Sequence, residues 1–578
     1  MAGLTVSIQV SPAADTKGMG ESDGWRASNQ SLSLGVISVG SIWKSFFSVR
    51  QSLASLALVV AISAQTFAAD TVAVVSLKPT GKLFSDIEYL MEATGTGALG
   101  QIFMPQVKAF LQGIDETKPI GVAVMVDSGN FKPLAFVPVT DLSTLLGNLE
   151  QQMGPASDAG DGVTELDGPQ PVFIKEQDGW AFVGQTVQAL EELPENPAQL
   201  LDGLDQSYDI SVRAYLKNLP EFIKQLIVGQ MTALAQNSMQ DDSGAAQAQI
   251  QQLQQTINES DTVTLGWQID PAKRQTYFDM VSKPIAGTQM AKQVGASIGV
   301  ESDFAGFVVE DAAMRGNITN MFLPEQIEQT LAGLAQAEAS TIKEIDEDED
   351  LDDGTRSAAK KLINTFFSIA GATIKTGKID ICQSVILKPK SIMVLTAAHV
   401  ADGSQVEAAV KQLIASSKSQ TEVSFSSVEF NVAEHADVSF HKLAVSVPED
   451  KDIPVFGETL EITLGTAPES VYLAIGTDGM EHLIRQIDAS ASASGQSVDP
   501  LHAEFKLTPM LEFAESMAPN PVLRSLTQMV SDQPDHLRMR VTADEENGVM
   551  YRLTLEEGIL SVLGQAVQMF GVNGGGGF

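Results

Sequence analysis

The chain has 578 residues, 44% of them hydrophobic, and a single cysteine, Cys382. That length exceeds one ordinary core, that apolar content excludes an intrinsically disordered chain, and one cysteine excludes an intramolecular disulfide. The formal net charge of −37, from 36 basic and 73 acidic residues, argues against nucleic acid and anionic lipid headgroups as partners, because both would be repelled.

Residues 1–68 read as a leader. Lys44 and Arg50 precede an uncharged run whose apolar core, LASLALVVAI, covers residues 53–62. That core is too short for a membrane span, which needs about 20 apolar residues, and the small residues Thr66 and Ala68 suit a signal peptidase cutting after Ala68. The mature protein is therefore expected outside the cytoplasm, periplasmic or extracellular. No later stretch approaches span length, so no transmembrane helix is expected after cleavage.

Beyond the leader, DTVAVVSL alternates as a strand until Pro79, and helical spacing follows over residues 83–91 and 101–113. PIGVAVMVD and PLAFVPV, joined by SGNFK, predict a hairpin, and Thr140 or Asp141 can cap the helix after it. The phrase GWAFVGQTVQALEEL, residues 179–193, reads as an apolar strand that ends in Gly and runs into a helix. A strand over residues 208–216, an Ala- and Gln-rich helical pair broken by DDSG, and a hairpin of DTVTLGWQID with QTYFDMV complete this half.

The same order then recurs. VYLAIGTDGMEHLIRQI, from Val471, repeats the strand-Gly-helix phrase, and TGKIDICQSVI from Thr376 resembles TKPIGVAVMVD from Thr117. Likewise VAD at 400–402 matches VTD at 139–141, EFKLTPMLEFAE from Glu504 matches AYLKNLPEFIK from Ala214, and DHLRMRVTAD from Asp535 matches DTVTLGWQID from Asp261. Five weak matches in one order predict a tandem duplication: copy one over 69–300, copy two over 301–572, and a Gly-rich tail at 573–578. The mixed order of strands, hairpins and helices predicts an α+β fold, a mostly antiparallel sheet covered by helices.

Candidate chemistry is sparse. SIMVLTAAHVADG and ADVSFHKLAV resemble the His and Asp segments of trypsin-like serine proteases, which implies His399 as general base and Asp437 as its orienting carboxylate. The chain lacks the Gly-Asp-Ser-Gly-Gly loop of that family; its nearest phrase, SASGQ with Ser494, has no glycine before the nucleophile. All six histidines fall in copy two, so none is required by an activity common to both copies. His435 and His441, six apart on strands, make a conceivable metal pair without a recognisable third ligand. The acidic insertion at 345–354 offers Asp346, Asp348, Asp350 and Asp352, yet the calcium-loop pattern fails, because the sixth position from Asp348 is Asp353 where glycine is needed. Cys382 lies in an apolar strand and reads as a buried, inert thiol.

In acidic composition, in its AQTFAAD exit and in the repeated strand-Gly-helix phrase, the chain resembles the large, functionally uncharacterised exported proteins of planctomycete-type bacteria. That resemblance implies no activity and no cofactor. The expectation is an exported, non-enzymatic binding or envelope-associated protein of two duplicated α+β domains, with an unknown protein or an apolar small molecule as partner. The alternatives are a trypsin-like hydrolase using His399 and Asp437, and a periplasmic carrier of an apolar ligand held in a groove between sheet and helices.

Overall fold

The computed structural model of the chain describes residues 70–127, 130–168, 171–238, 245–348, 351–417, 425–446, 455 and 459–571. Nearly all of them belong to one compact unit, 69–126 with 132–578. The leader, the Gly-rich tail and Asp350 lie outside the described residues.

Ten strands come from the first half: β1 (Asp70–Leu77), β2 (Ile120–Asp127), β3 (Asn130–Pro138), β4 (Ala156–Gly160), β5 (Val163–Leu166), β6 (Val172–Gln177), β7 (Trp180–Gly184), β8 (Ile210–Tyr215), β9 (Ser260–Asp270) and β10 (Gln275–Pro284). Ten come from the second: β11 (Met314–Met321), β12 (Lys378–Lys388), β13 (Ser391–His399), β14 (Phe425–His435), β15 (Val438–Ser446), β16 (Thr459–Thr466), β17 (Ser470–Ile475), β18 (Leu501–Lys506), β19 (His536–Asp544) and β20 (Gly548–Glu556). All twenty join one antiparallel sheet. From edge to edge its order is β4-β5-β6-β7-β3-β2-β1-β8-β9-β10-β20-β19-β18-β11-β12-β13-β17-β16-β15-β14. Read inward from either edge, the order is the same with every number raised by ten. The halves meet where β10 pairs with β20.

Helices fill matching connections. Thr80–Ala93 and Gly97–Phe110 link β1 to β2, and Pro324–Glu347 and Asp353–Lys375 link β11 to β12. Leu142–Met153 and Gly403–Ser417 follow β3 and β13, Glu221–Ser238 with Ala245–Glu259 and Leu507–Met517 with Pro521–Val530 follow β8 and β18, and Gln289–Ser297 and Glu557–Gly571 follow β10 and β20. The five matched phrases of the sequence fall on β7 and β17, β2 and β12, the ends of β3 and β13, β8 and β18, and β9 and β19.

Local chemistry explains one of these matches and corrects another. In VTD and VAD the aspartate takes the free N–H groups at a helix start: Asp141 accepts from the backbone of Ser143 and Thr144, and Asp402 from that of Ser404. Hydrogen bonds from Ser143 and Thr144 hold the Asp141 carboxyl down at about 2. The strand-Gly-helix phrase is expected to give a helix twice, and it does so only after β17, as Gly479–Ser492. After β7 the chain makes a short 3-10 turn, Val187–Leu190, because Pro194 and Pro197 stand where a helix would continue. Gly476, which ends the second strand, has φ +128°, and a Cβ there would lie 2.6 Å from the Ile392 carbonyl oxygen, so only glycine fits.

Core clusters lie on both faces of the sheet: Trp180 and Phe182 of β7 join one, and Ala181 between them joins another with Leu145 and Leu166. In the first half, Val74 packs with Leu134, Phe136, Trp180, Phe182, Leu201 and Leu204, the last two from the segment after β7. In the second, Cys382 and Ile386 pack with Phe304, Phe307, Leu483 and Ile487. Alternation along β12 displays the two faces: Cys382, Ser384 and Ile386 are buried, whereas Ile381, Gln383 and Val385 are not.

Candidate functional site

His399 ends β13 opposite Ser470 of β17; its Nε2 lies 3.3 Å from the Thr376 hydroxyl, and its Nδ1 is buried with no partner among the described residues. Asp437 sits at φ +61° in the turn that opens β15. Strands β17 and β16 stand between them, a separation of three strand spacings or about 14 Å. The structure does not bring these two together.

His441 is fully buried, accepts from the Asn431 N–H at Nδ1 (3.1 Å), and has the Thr466 hydroxyl 3.1 Å from Nε2. Both ring nitrogens are thus taken, and burial pushes its pKa down. His435 lies 2.6 Å from Asp488 instead. In the acidic insertion, Asp346 pairs with Lys360, the Asp348 carbonyl accepts from Arg356 (2.7 Å), and Asp352 caps the helix Asp353–Lys375 through Gly354 and Thr355. Each of these groups already works in holding the helical hairpin together. Among the described residues no group of three or more His, Cys, Asp or Glu is placed to hold a metal ion, and no helix is long and apolar enough to cross a membrane. Cys382 is buried, and burial pushes its thiol up to about 12.

What the fold does assemble lies on the central strands, whose two faces differ in chemistry. One face carries charge. Arg552 of β20 donates two hydrogen bonds of 2.7 Å to Asp279, its direct cross-strand partner on β10; Tyr208 donates to the same carboxylate (3.0 Å), and the guanidinium lies 4.1 Å from the Tyr277 ring centre. Tyr208 reaches Asp279 by lying across Gly266, where a Cβ would sit 2.3 Å from its ring. Beside this pair runs an alternating row: Arg315 and Arg538 flank Glu504 at 3.0 and 2.9 Å, and Arg538 also donates to Glu556 at 2.6 Å. Burial works to raise the Glu556 carboxyl, but hydrogen bonds from His536 and Arg538 overcome it and hold it at about 2. Every charge in this row is matched by its neighbour, so the row serves as structure.

The opposite face of the same strands is apolar and partly exposed between the helices that pack on it. Following the register from β2 to β12, directly paired residues form one row across ten strands: Val122, Val75, Val212, Leu265, Met280, Tyr551, Val541, Leu501, Ile318 and Ile381. None of the ten is buried. Nine strand spacings make this row about 43 Å long. A second row, Ile120, Leu77, Ile210, Trp267, Phe278, Leu553, Met539, Ala503 and Gly316, runs beside it two residues, or about 7 Å, along the strands. Trp267 and Phe278 stack within it at 5.8 Å. The Trp267 N–H is occupied by the Thr276 hydroxyl at 2.7 Å.

Helices border this band. On one side Thr80–Ala93 and Glu557–Gly571 pack against Leu537, Leu553 and Leu555. On the other, Gln289–Ser297 touches β10, β11, β19 and β20 and is tied to Asn320 through Ser297. Between these borders Phe278, Met280, Ile318 and Tyr551 keep 39, 41, 42 and 38% of their surface exposed. Their open area is on the order of 300 Å², worth ~7 kcal/mol of gross transfer free energy at about 25 cal/mol per Å². Phe278, Met280 and Tyr551 adjoin in the register, and Ile318 lies three strands beyond Tyr551 on the same face.

Comparison with protein-family models, with curated proteins and with solved structures finds no match for this chain. The band is not legible in the sequence, because its members are contributed by ten strands that span 477 residues, from Val75 to Tyr551. The available signal was the alternation in β12 and β20, which marks two faces without saying which is covered.

Proposed function

We propose that the protein is an exported binding module built by tandem duplication of one α+β unit, and that it carries an apolar ligand on the apolar face of its central sheet. The observation that supports the binding reading is the ten-strand row, in which no residue is buried and every residue is apolar apart from the Tyr551 hydroxyl. The duplication is supported by the strand order, which repeats with each number raised by ten, and by the shared aspartate caps at 141 and 402. Export rests on the leader sequence, with its apolar core at 53–62 and small-residue exit. Envelope association and a protein partner remain compatible with the same surface, which a partner could cover in place of a small molecule.

The test is equilibrium binding of an environment-sensitive fluorescent alkyl probe to the mature chain and to Met280→Asp. A charge at the centre of the row must be desolvated when the ligand lands. The expected outcome is saturable binding with a blue-shifted emission, weakened at least tenfold in the variant. Equal binding by both proteins would place the ligand elsewhere, and no binding by either would remove the carrier reading.

A further inference from the structure

We propose that His441 is an acid-sensitive latch on one edge of the sheet: the neutral imidazole holds a bulge in β14, and a second proton on the ring releases it. β14 is the last strand at that edge and pairs, among the described residues, with β15 alone. Its ladder sets Glu429 opposite Lys442 and resumes with Ala433 opposite Phe440, so three residues, 430–432, stand against the single residue His441. Asn431, at the centre of the bulge, has φ +55°, in the left-handed region that few side chains adopt unless something holds them there. Here the holding group is a side chain, because the Asn431 N–H donates to His441 Nδ1 at 3.1 Å.

A backbone N–H can only donate, so Nδ1 carries no proton, and Nε2 carries the one that the neutral ring gives to the Thr466 hydroxyl at 3.1 Å. A second proton must go to Nδ1, where it would meet the Asn431 N–H donor against donor in a fully buried site. Among the described residues, the charged groups facing the ring both come from the helix Gly403–Ser417. Glu407 lies 3.8 Å from Nε2, and Lys411 donates to Glu407 at 2.6 Å and sits 4.8 Å from the centre of the neighbouring Phe430 ring. Burial opposes the second proton most strongly, Glu407 favours it and Lys411 opposes it, and together they push the His441 pKa down. Release therefore falls below the ordinary 6.5, and the stability this contact gives is complete above that pH and lost as the pH falls. At the end of the same strand His435 lies 2.6 Å from Asp488, a contact that a proton on His435 strengthens, so it does not supply the release. A bulge interrupts the row of N–H and C=O groups by which an edge pairs with another strand, so the proton on His441 decides what this edge presents.

The experiment is hydrogen exchange of the full chain read by mass spectrometry across the acid range, corrected for the intrinsic pH dependence of amide exchange. The expected result is that β14, residues 425–435, exchanges about tenfold faster on the acid side of a midpoint below 6.5, while β12, residues 378–388, keeps its protection. Two variants separate a proton on His441 from general weakening in acid. His441→Gln keeps an acceptor and a donor but cannot take the charge, so its profile should show no step. Glu407→Gln removes the group that favours the proton, so the step should move to lower pH, and this substitution on a helix carries the test by itself if His441→Gln does not fold. A flat profile in the wild type, loss of protection in β12 together with β14, a step that survives in folded His441→Gln, or one that stays at the same pH in Glu407→Gln would overturn the proposal.

Discussion

Asp279 is buried at the joint between the two halves, and its carboxylate is held by two side chains, Tyr208 and Arg552, that lie 344 residues apart in the sequence. Removing the guanidinium leaves a carboxylate in the sheet with one phenol as partner. Arg552→Ala is expected to cost about 3 kcal/mol in denaturant unfolding, the lower end of the range for breaking a buried pair, because the Arg552 side chain reaches solvent. Replacing both members with apolar residues of similar volume should recover much of that loss. A loss below ~1 kcal/mol for the single variant would show that the pair is not desolvated in solution.

Glu556 gives a pH dependence of definite sign. Its folded carboxyl is held at about 2, below the ordinary 4.5, so the unfolded chain binds the proton more readily. The stability it contributes is complete above pH ~4.5 and is lost as pH falls toward about 2, with a ceiling of ~3 kcal/mol. In Glu556→Gln the acid limb of the stability curve should flatten over that window while the neutral region drops. An unchanged acid limb would mean that His536 and Arg538 do not hold the carboxylate.

At the scale of elements, the aspartates 141 and 402 do the same work at the start of two helices in matching connections. Each Asp→Ala change should lower the midpoint of denaturant unfolding, and the two losses should add, since they lie in different halves of the sheet. Markedly unequal costs would mean that one helix is held by packing and not by its cap. These caps were legible in the sequence because an N-cap is a local pattern, and so were the hairpins β2–β3 and β9–β10 and the antiparallel α+β character. The chain after β7 departs from the helix that its strand-Gly-helix pattern predicts, because the two prolines of LPENP end the helix before it forms. The site lay further from reach. His399 and Asp437 attract notice as phrases, but sequence proximity to a family motif carries no information about how many strands will separate them. The apolar band is the converse case, made entirely of lateral register, which no window along the chain contains.

At the scale of the whole molecule, one sheet runs through both halves. The β10–β20 ladder, the Arg274 and Tyr89 hydrogen bonds to Glu557, and the packing of Ala93 on Leu560 all cross between them. Unfolding should therefore be a single cooperative transition in calorimetry; two resolved transitions would mean that the halves are thermodynamically separate domains. The same continuity produces the apolar face, since the row from Val122 to Ile381 exists only if both halves share a register. The most direct measurement is native mass spectrometry of the protein purified from its own cells, under conditions that keep non-covalent ligands bound. The account predicts a mature chain carrying excess mass that extracts into organic solvent as an apolar molecule and is absent from Met280→Asp. A wild-type protein that arrives bare, or whose bound molecule persists in Met280→Asp, would contradict it.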